Sequence, residues 1–328
     1  MLFTIKMDKI IHINGGIGEV IAATGAVELY AKNETEKGNK VFIMTAYPGI
    51  FYEPKYITAI YNIAMLGLYK DKISKMEYIA PEPYNDYSYY LEEKHLAQVF
   101  NKLLNGKNEY VEPKLTLSKA EKEEAKKYCE ELRNKTGKRI ILFQPWGNTG
   151  GKFCKKPGCK LHKLGSYIED DTYRSLELEF AKTLCSALQN DYGVILVKIP
   201  EQEGFPDCEL LERDWQGKKV PYNLRRVINL IPYVDGIVCC DSFLHHASAS
   251  LGSPVPTIVL WAGTNEKNLR YSNQVNIKSK NDCEYEPNRI LRNFSHQYYV
   301  NKNKGCNKFE AETIEAILKA LEEKKDKN

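Results

Sequence analysis

Twice along this chain, short apolar runs alternate with stretches of helical periodicity, and that alternation limits most strongly what it can fold into. Parallel strands need long crossover connections, which are usually helices, so strand–helix alternation builds parallel sheets covered by helices. In the first series, Lys9–Ile13 and Lys40–Met44 read as strands and Lys75–Ile79 as a less regular third. Glu19–Lys32 carries Val20, Ala23, Val27 and Tyr30 near one helical face. Tyr90–Leu104 and Ser118–Asn134 follow as helices, the latter opening on Ser118 with Glu121 three residues on, the spacing of a capping box. A second series begins after Lys135-Thr136-Gly137. Its strands are Arg139–Phe143, Val194–Ile199, Gly236–Cys240 and Pro256–Trp261. Its helices are expected over Ser175–Gln189, within Val220–Tyr233 and over Phe309–Lys325. The expected architecture is two doubly wound α/β domains, 1–135 and 136–308, with a terminal helix in 309–328.

Composition removes several classes of function. Of 328 residues, 43% are hydrophobic and 27% charged, and the net charge of +4 gives no general affinity for polyanions. Extended nucleic-acid contact is disfavoured on the same ground. No run approaches the ~18 apolar residues of a membrane span, and Met1–Lys9 lacks the order of a signal peptide, so a cytoplasmic location is expected. The segment from Tyr47 to Tyr90 is rich in Tyr and Pro, and its aromatics either pack irregular backbone or line a substrate site.

Nine cysteines are present. Cys129, Cys185 and Cys208 have no ligand-type neighbours in sequence, and Cys239 and Cys240 complete an apolar strand. Cys154, Cys159 and His162 cluster in a Gly- and Lys-rich loop, while Cys283 and Cys306 lie in another irregular stretch. Were the two stretches to meet, these soft ligands could hold a structural zinc or iron; otherwise they are unligated thiols of a reducing compartment.

Two turns carry the chemistry. Asn14-Gly15-Gly16-Ile17-Gly18-Glu19 joins the first strand to its helix. It fails the dinucleotide fingerprint, because position 21 is Ile and the second strand ends Phe42-Ile43-Met44-Thr45 with no acid for a ribose. No Lys-Ser or Lys-Thr pair completes a phosphate P-loop either. What remains is a glycine turn (Gly15, Gly16, Gly18) over which a ligand can approach the backbone, with Glu19 either a base or simply an acid favoured in a first helical turn. The second turn follows Val238-Cys239-Cys240: Asp241-Ser242-Phe243-Leu244-His245-His246 sets an acid and a hydroxyl at a strand's carboxyl end and a helix start. Ligands of open parallel sheets bind there, and helix starts favour anions. Asp241 alternatively caps the helix, and His246 alternatively packs within the domain.

These two turns, together with Gly252-Ser253-Pro254 and Leu260-Trp261-Ala262-Gly263-Thr264-Asn265, resemble family 9 glycosyltransferases, the heptosyltransferases of lipopolysaccharide core assembly and their relatives. The resemblance runs the length of the chain in order but is specific only at these points. It implies a GT-B fold, two Rossmann-like domains facing across a cleft, with the acceptor on the first and a nucleoside-diphosphate sugar on the second. The terminal helix would pack back on the first domain. It further implies inverting transfer that needs no metal for catalysis. Glu19 stands where the family has its proposed base, an Asp; Asp241, Ser242 and His246 would hold the donor. Thr264 and Asn265 would line a loop near the donor, Asn265 standing where an acid is usual. Asn148 and Thr149, after Trp146-Gly147, could offer hydroxyl and amide groups to the diphosphate, and Arg174 or Lys198 would supply its positive charge.

The implied reaction suits these residue types. An oxocarbenium-like transition state needs a base for the acceptor hydroxyl and cationic or N–H groups for the departing diphosphate. The expected function is transfer from an ADP-heptose-like donor to a hydroxyl of a glycan, lipid-linked or protein acceptor in surface-glycan or lipopolysaccharide synthesis. The alternatives are a nucleotide-sugar 2-epimerase of the same fold and a non-catalytic nucleotide-sugar-binding relative.

Overall fold

The computed structural model describes residues 7–147, 152–153, 167–168, 174–199, 202–215, 218–221, 224–279 and 305–323. The chain forms two compact units, one built on residues up to Leu117 and the other on residues from Ser118, with 267–269 counted in the first.

The first unit is a parallel sheet of β1 (Lys9–Ile13), β2 (Val41–Thr45), β3 (Ala59–Asn62) and β4 (Glu77–Ile79), in the order β3-β2-β1-β4. The chain winds outward from β1 to β3 and then returns to β1's other side, so the order reverses between β1 and β4. Helix α1 (Ile17–Glu36) makes the first crossover, and Ile10, Phe42, Met44 and Tyr61 form a cluster on the sheet. Short helices α2 (Leu66–Ile73) and α3 (Tyr87–Tyr90) precede α4 (Leu96–Asn105), whose Asn105 amide donates to the Ala26 carbonyl of α1 at 3.0 Å. Gly25 lets the chain after α4 lie against α1, because a Cβ there would stand 2.2 Å from the Glu112 carbonyl oxygen. Strand β3 was not expected: its four residues sit in the Tyr-rich segment and only Tyr61 is buried, so alternation has little length in which to appear.

The second unit contains β5 (Arg139–Gln144), the hairpin β6 (Lys152–Phe153) with β7 (Tyr167–Ile168), β8 (Tyr192–Leu196) and β9 (Glu209–Leu210). There follow the hairpin β10 (Glu212–Trp215) with β11 (Lys218–Pro221), then β12 (Gly236–Cys240), β13 (Thr257–Trp261) and β14 (Val275–Lys278). Six of these form one parallel sheet in the order β14-β13-β12-β5-β8-β9. Numbered by appearance within that sheet, the order is the doubly wound dinucleotide-binding arrangement, with its reversal between β5 and β12. Strands β12 and β13 are buried at every position, as expected of parallel strands covered on both faces.

Helices α5 (Lys119–Thr136), α6 (Leu178–Asp191), α7 (Leu224–Leu230) and α8 (Phe243–Ser250) belong to this unit. Its core joins Leu184 and Leu188 of α6 to Val238, Ile258 and Leu260 of the sheet, and takes in Ile317 and Leu321 of the terminal helix Glu312–Glu323. That helix therefore packs on the second unit; a Cβ on Gly236 would lie 2.8 Å from Leu321 Cδ2. The units also divide one helix earlier than the expected boundary near residue 135, because α5 is tied to the second unit. Its Arg133 donates to the Asp235 carboxylate at 3.1 and 2.9 Å. Among the described residues no helix is long and apolar enough to cross a membrane.

The α5 capping box is formed as the sequence implies, Ser118 Oγ accepting from Glu121 N–H and the Glu121 carboxylate from Ser118 N–H. The same carboxylate accepts two bonds from Arg225 of α7, at 2.7 and 3.0 Å. That pair, chiefly its hydrogen bonds, pulls the Glu121 pKa down to about 2. Arg225→Ala is expected to lower unfolding stability by about 1.5–3 kcal/mol at neutral pH, the worth of hydrogen bonds to a charged group. A depressed carboxyl stabilises the fold above its unfolded pKa and loses that contribution as pH falls toward its folded one. Urea midpoints of the wild type and variant should therefore converge between about pH 5 and pH 2.

Candidate functional site

The second unit's site grows from the end of β12. Its last apolar residue is Cys240, and the chain turns into α8 through Asp241 and Ser242. Ser242 is the N-cap, its Oγ accepting from Leu244 N–H at 3.4 Å. With the cap supplied by Ser242, the Asp241 carboxylate is available for another partner. It takes one from the next turn of the helix: His245 Nε2 lies 3.2 Å from Asp241 Oδ1. Burial alone would raise the Asp241 pKa; the His245 hydrogen bond, with the charges of His245, Arg174 and His246, outweighs it and holds the carboxyl well below the usual range. A buried, ionised carboxylate thus stands at the carboxyl end of β12.

Near the ends of the strands beside it are several buried polar atoms with no hydrogen-bond partner among the described residues: His245 Nδ1, Gln144 Oε1 at the end of β5, and Thr264 Oγ1 in the turn after β13. Buried polar groups are nearly always satisfied, so these atoms are available to a bound water or to the polar groups of a ligand. They come from the end of β5, the turn after β13 and the first turn of α8, which follows β12, and so flank the point where strand order reverses. A doubly wound sheet binds its ligand at that crevice.

The remaining expected donor residues divide. His246 is buried, its Nδ1 2.9 Å from the Tyr271 hydroxyl and its ring tilted by 35° against that of His245 at 3.9 Å between centroids. Arg174 acts on Asp241 through its charge, so a basic residue distant in sequence does reach the site. Lys198 is committed to its own loop, donating to the Ile199 and Gln202 carbonyls at 3.3 and 3.1 Å. Asn265 follows Thr264 and is partly buried. Asn148 and Thr149 lie outside the described residues, as do Cys154, Cys159, His162 and Cys283 of the expected metal cluster. Cys306 is buried and disulfide-bonded, so its sulfur could serve a metal only after reduction. Asp241, His245 and His246 do offer three ligand-type atoms within 4.8 Å of one another. The positive charge of Arg174 on the same carboxylate favours sugar hydroxyls and an anion there over a divalent cation.

In the first unit, β1 ends at the glycine turn, beside the β1/β4 reversal. Gly15 has φ +106°, a conformation that disfavours side chains, and a Cβ on it would fall 1.7 Å from Glu19 Oε2. The Glu19 carboxylate therefore lies directly over Gly15. Gly16 is the N-cap of α1 and has no side chain to cap it; Gly18 lies in the first turn. Glu19 is 6% exposed. Sequence reasoning missed His12 of β1, which hydrogen-bonds through Nδ1 to the Tyr78 hydroxyl of β4 and has a buried Nε2 without a partner. Burial lowers its pKa, favouring the neutral ring. It also missed His245; an acid and a histidine four residues apart across a helix start were the available signal.

No model of a known protein family and no curated protein sequence matches the chain. Solved structures do. A family 9 glycosyl transferase from Veillonella parvula DSM 2008 superposes with a TM-score of 0.60 at 11% identity, covering 97% of this chain and 98% of that one. The iron-containing dodecameric glycosyltransferase TibC of enterotoxigenic E. coli H10407 gives 0.58 at 7% identity, over 97% and 77%. E. coli ADP-heptose lps heptosyltransferase II gives 0.52 at 12%, over 91% and 98%. Identities this low speak for architecture, and with the two parallel sheets they establish that the chain has the GT-B fold.

Proposed function

We propose that this protein is a glycosyltransferase that moves a sugar, with inversion, from a nucleoside-diphosphate sugar to an acceptor hydroxyl. One observation carries the reading: a buried, ionised Asp241 amid unpaired polar atoms at the strand-order reversal of the second sheet. A carboxylate so held can accept hydrogen bonds from sugar or ribose hydroxyls, and Arg174 offers positive charge to a diphosphate. Thr264 Oγ1 and Gln144 Oε1 supply further polar contacts. Glu19 takes the proton of the acceptor hydroxyl as it attacks the anomeric carbon, and the nucleoside diphosphate leaves. In this reading the step calls for no metal, since the Arg174 charge and helix-start N–H groups stabilise the leaving group.

An ADP-heptose-like donor is favoured, because two proteins with this fold are described by it, the E. coli heptosyltransferase II and TibC in complex with ADP-D-beta-D-heptose (TM-score 0.54, 8% identity). Surface-glycan or lipopolysaccharide synthesis in the cytoplasm is the corresponding setting. The deciding experiment is thermal unfolding of the full chain with ADP-, GDP-, UDP- and TDP-sugars. At a hundredfold excess over Kd a true donor adds about 2.7 kcal/mol, a rise in Tm of roughly 4–6 °C. The ADP-sugar should give the largest rise, and none from any of the four would remove the reading. Conversion of the donor without an acceptor would identify an epimerase; binding without turnover over a broad acceptor pool would identify a binding protein.

A further inference from the structure

Away from both candidate sites, two nucleophilic side chains touch. Cys185 on α6 and Cys208, just before β9, have their sulfurs 3.3 Å apart, although 23 positions separate them in sequence. Cys185 is 1% exposed, whereas Cys208 is partly open to solvent, so a small oxidant reaches only one of them readily. Gln189 anchors the same corner, donating to the Pro206 carbonyl at 2.7 Å and approaching Cys208 Sγ at 3.5 Å.

We propose that Cys185 and Cys208 are a peroxide-reactive dithiol, Cys208 the attacking sulfur and Cys185 the resolving one, which close into a disulfide clamping the 202–208 segment to α6. Bringing sulfurs from 3.3 Å to the ~2.05 Å of a bond asks each to move well under an ångström, within ordinary side-chain adjustment. Either thiol can donate the hydrogen bond between them; when Cys185 donates, the bond raises the Cys185 pKa and lowers that of Cys208, against the upward effect of burial on Cys208. Cys208 is the sulfur that peroxide reaches, Cys185 being 1% exposed, and in the arrangement where Cys185 donates it is also the one favoured as thiolate, the form that attacks. Cys208 thiolate attacks one oxygen of hydrogen peroxide, the O–O bond breaks, and hydroxide leaves to become water, giving a sulfenic acid at Cys208. Cys185 sulfur then attacks that sulfur, its proton leaves with the hydroxyl as a second water, and the S–S bond forms. The two thiols lose two electrons in all and the peroxide gains them.

The clamp bears on the candidate donor region. Gln202 in the same segment donates to the Gly147 carbonyl at 2.5 Å, and the Glu203 carbonyl accepts from Trp146 Nε1 at 3.2 Å. Both contacts hold the chain where it leaves β5. Fixing the segment to α6 would fix that exit as well.

The test uses the full chain, reduced, freed of reductant, treated with one equivalent of hydrogen peroxide, alkylated and mapped by mass spectrometry. The expected product is a cross-linked Cys185–Cys208 peptide pair, lighter than its two thiol peptides by two hydrogens and released by dithiothreitol. With dimedone present, Cys185→Ser should accumulate the adduct on Cys208, whereas the wild type should not, and Cys208→Ser should leave Cys185 unmodified. The proposal is overturned if wild-type Cys208 stays reduced, or bonds to a different cysteine, under conditions that oxidise other thiols of the chain.

Discussion

Asp241→Ala is expected to abolish the donor-induced rise in melting temperature, whichever nucleotide sugar proves to give it. Each hydrogen bond to a buried charged group contributes about 1.5–3 kcal/mol, so losing two of them from donor hydroxyls weakens binding by roughly 100-fold or more. At a donor concentration near a hundred times the wild-type Kd, that leaves almost no shift. The substitution also strips His245 Nε2 of its acceptor inside the unit, costing about 1–3 kcal/mol in the unliganded protein. The unliganded Tm should therefore fall too, and the diagnostic quantity is the difference that donor makes. Asp241→Asn separates the two effects, since its carbonyl can still accept from His245 while the negative charge is gone. It should keep most of the unliganded stability and a small part of the donor shift. Because the Asp241 carboxyl is held below the usual range, the wild-type shift should stay constant from about pH 8 down to about pH 5. An undiminished shift in Asp241→Ala would move the donor site elsewhere.

What the sequence disclosed depended on how local the controlling interaction is. Strand β1 falls on Lys9–Ile13 as expected, and β12 on Gly236–Cys240, because an apolar run bounded by a turn is decided within its own few residues. The α5 start is equally local: Ser118 and Glu121 satisfy each other's backbone. The domain boundary was less legible, since α5's allegiance is set by Arg133 meeting Asp235, 102 positions away in sequence, and by Glu121 meeting Arg225. Strand β14 (Val275–Lys278) escaped notice for the same reason as β3, being four residues long with no fully buried position. Within the candidate site, Asp241 and Ser242 could be read from the strand-to-helix turn. Which of them caps the helix could not, because either side chain suits that position. Arg174 was suggested only by family resemblance, whereas His12 beside Tyr78 is a pairing across parallel strands that no spacing rule reveals.

Glu19→Gln should cut turnover by about 100- to 10,000-fold while leaving the donor-induced shift in Tm intact. The amide fills the same space over Gly15 but cannot take a proton, so the acceptor hydroxyl must attack without a base. Glu19 is 6% exposed and its carboxylate lies over Gly15, which sets its position at the glycine turn. Gly15→Ala tests the same assignment by position rather than by chemistry. Its Cβ would intrude 1.7 Å from Oε2 at a φ of +106°, so the carboxylate must be displaced, and a shift of about an ångström is enough to cost on the order of 100-fold in rate. Turnover should therefore fall in Gly15→Ala although Glu19 is still present, and donor binding should again survive. His12 on β1, whose pKa burial lowers and whose buried Nε2 has no hydrogen-bond partner among the described residues, is a second candidate base in this unit. Wild-type turnover in Glu19→Gln together with a large loss in His12→Gln would transfer the role to the imidazole. Loss in Glu19→Gln with near-normal turnover in His12→Gln would leave the carboxylate as the base.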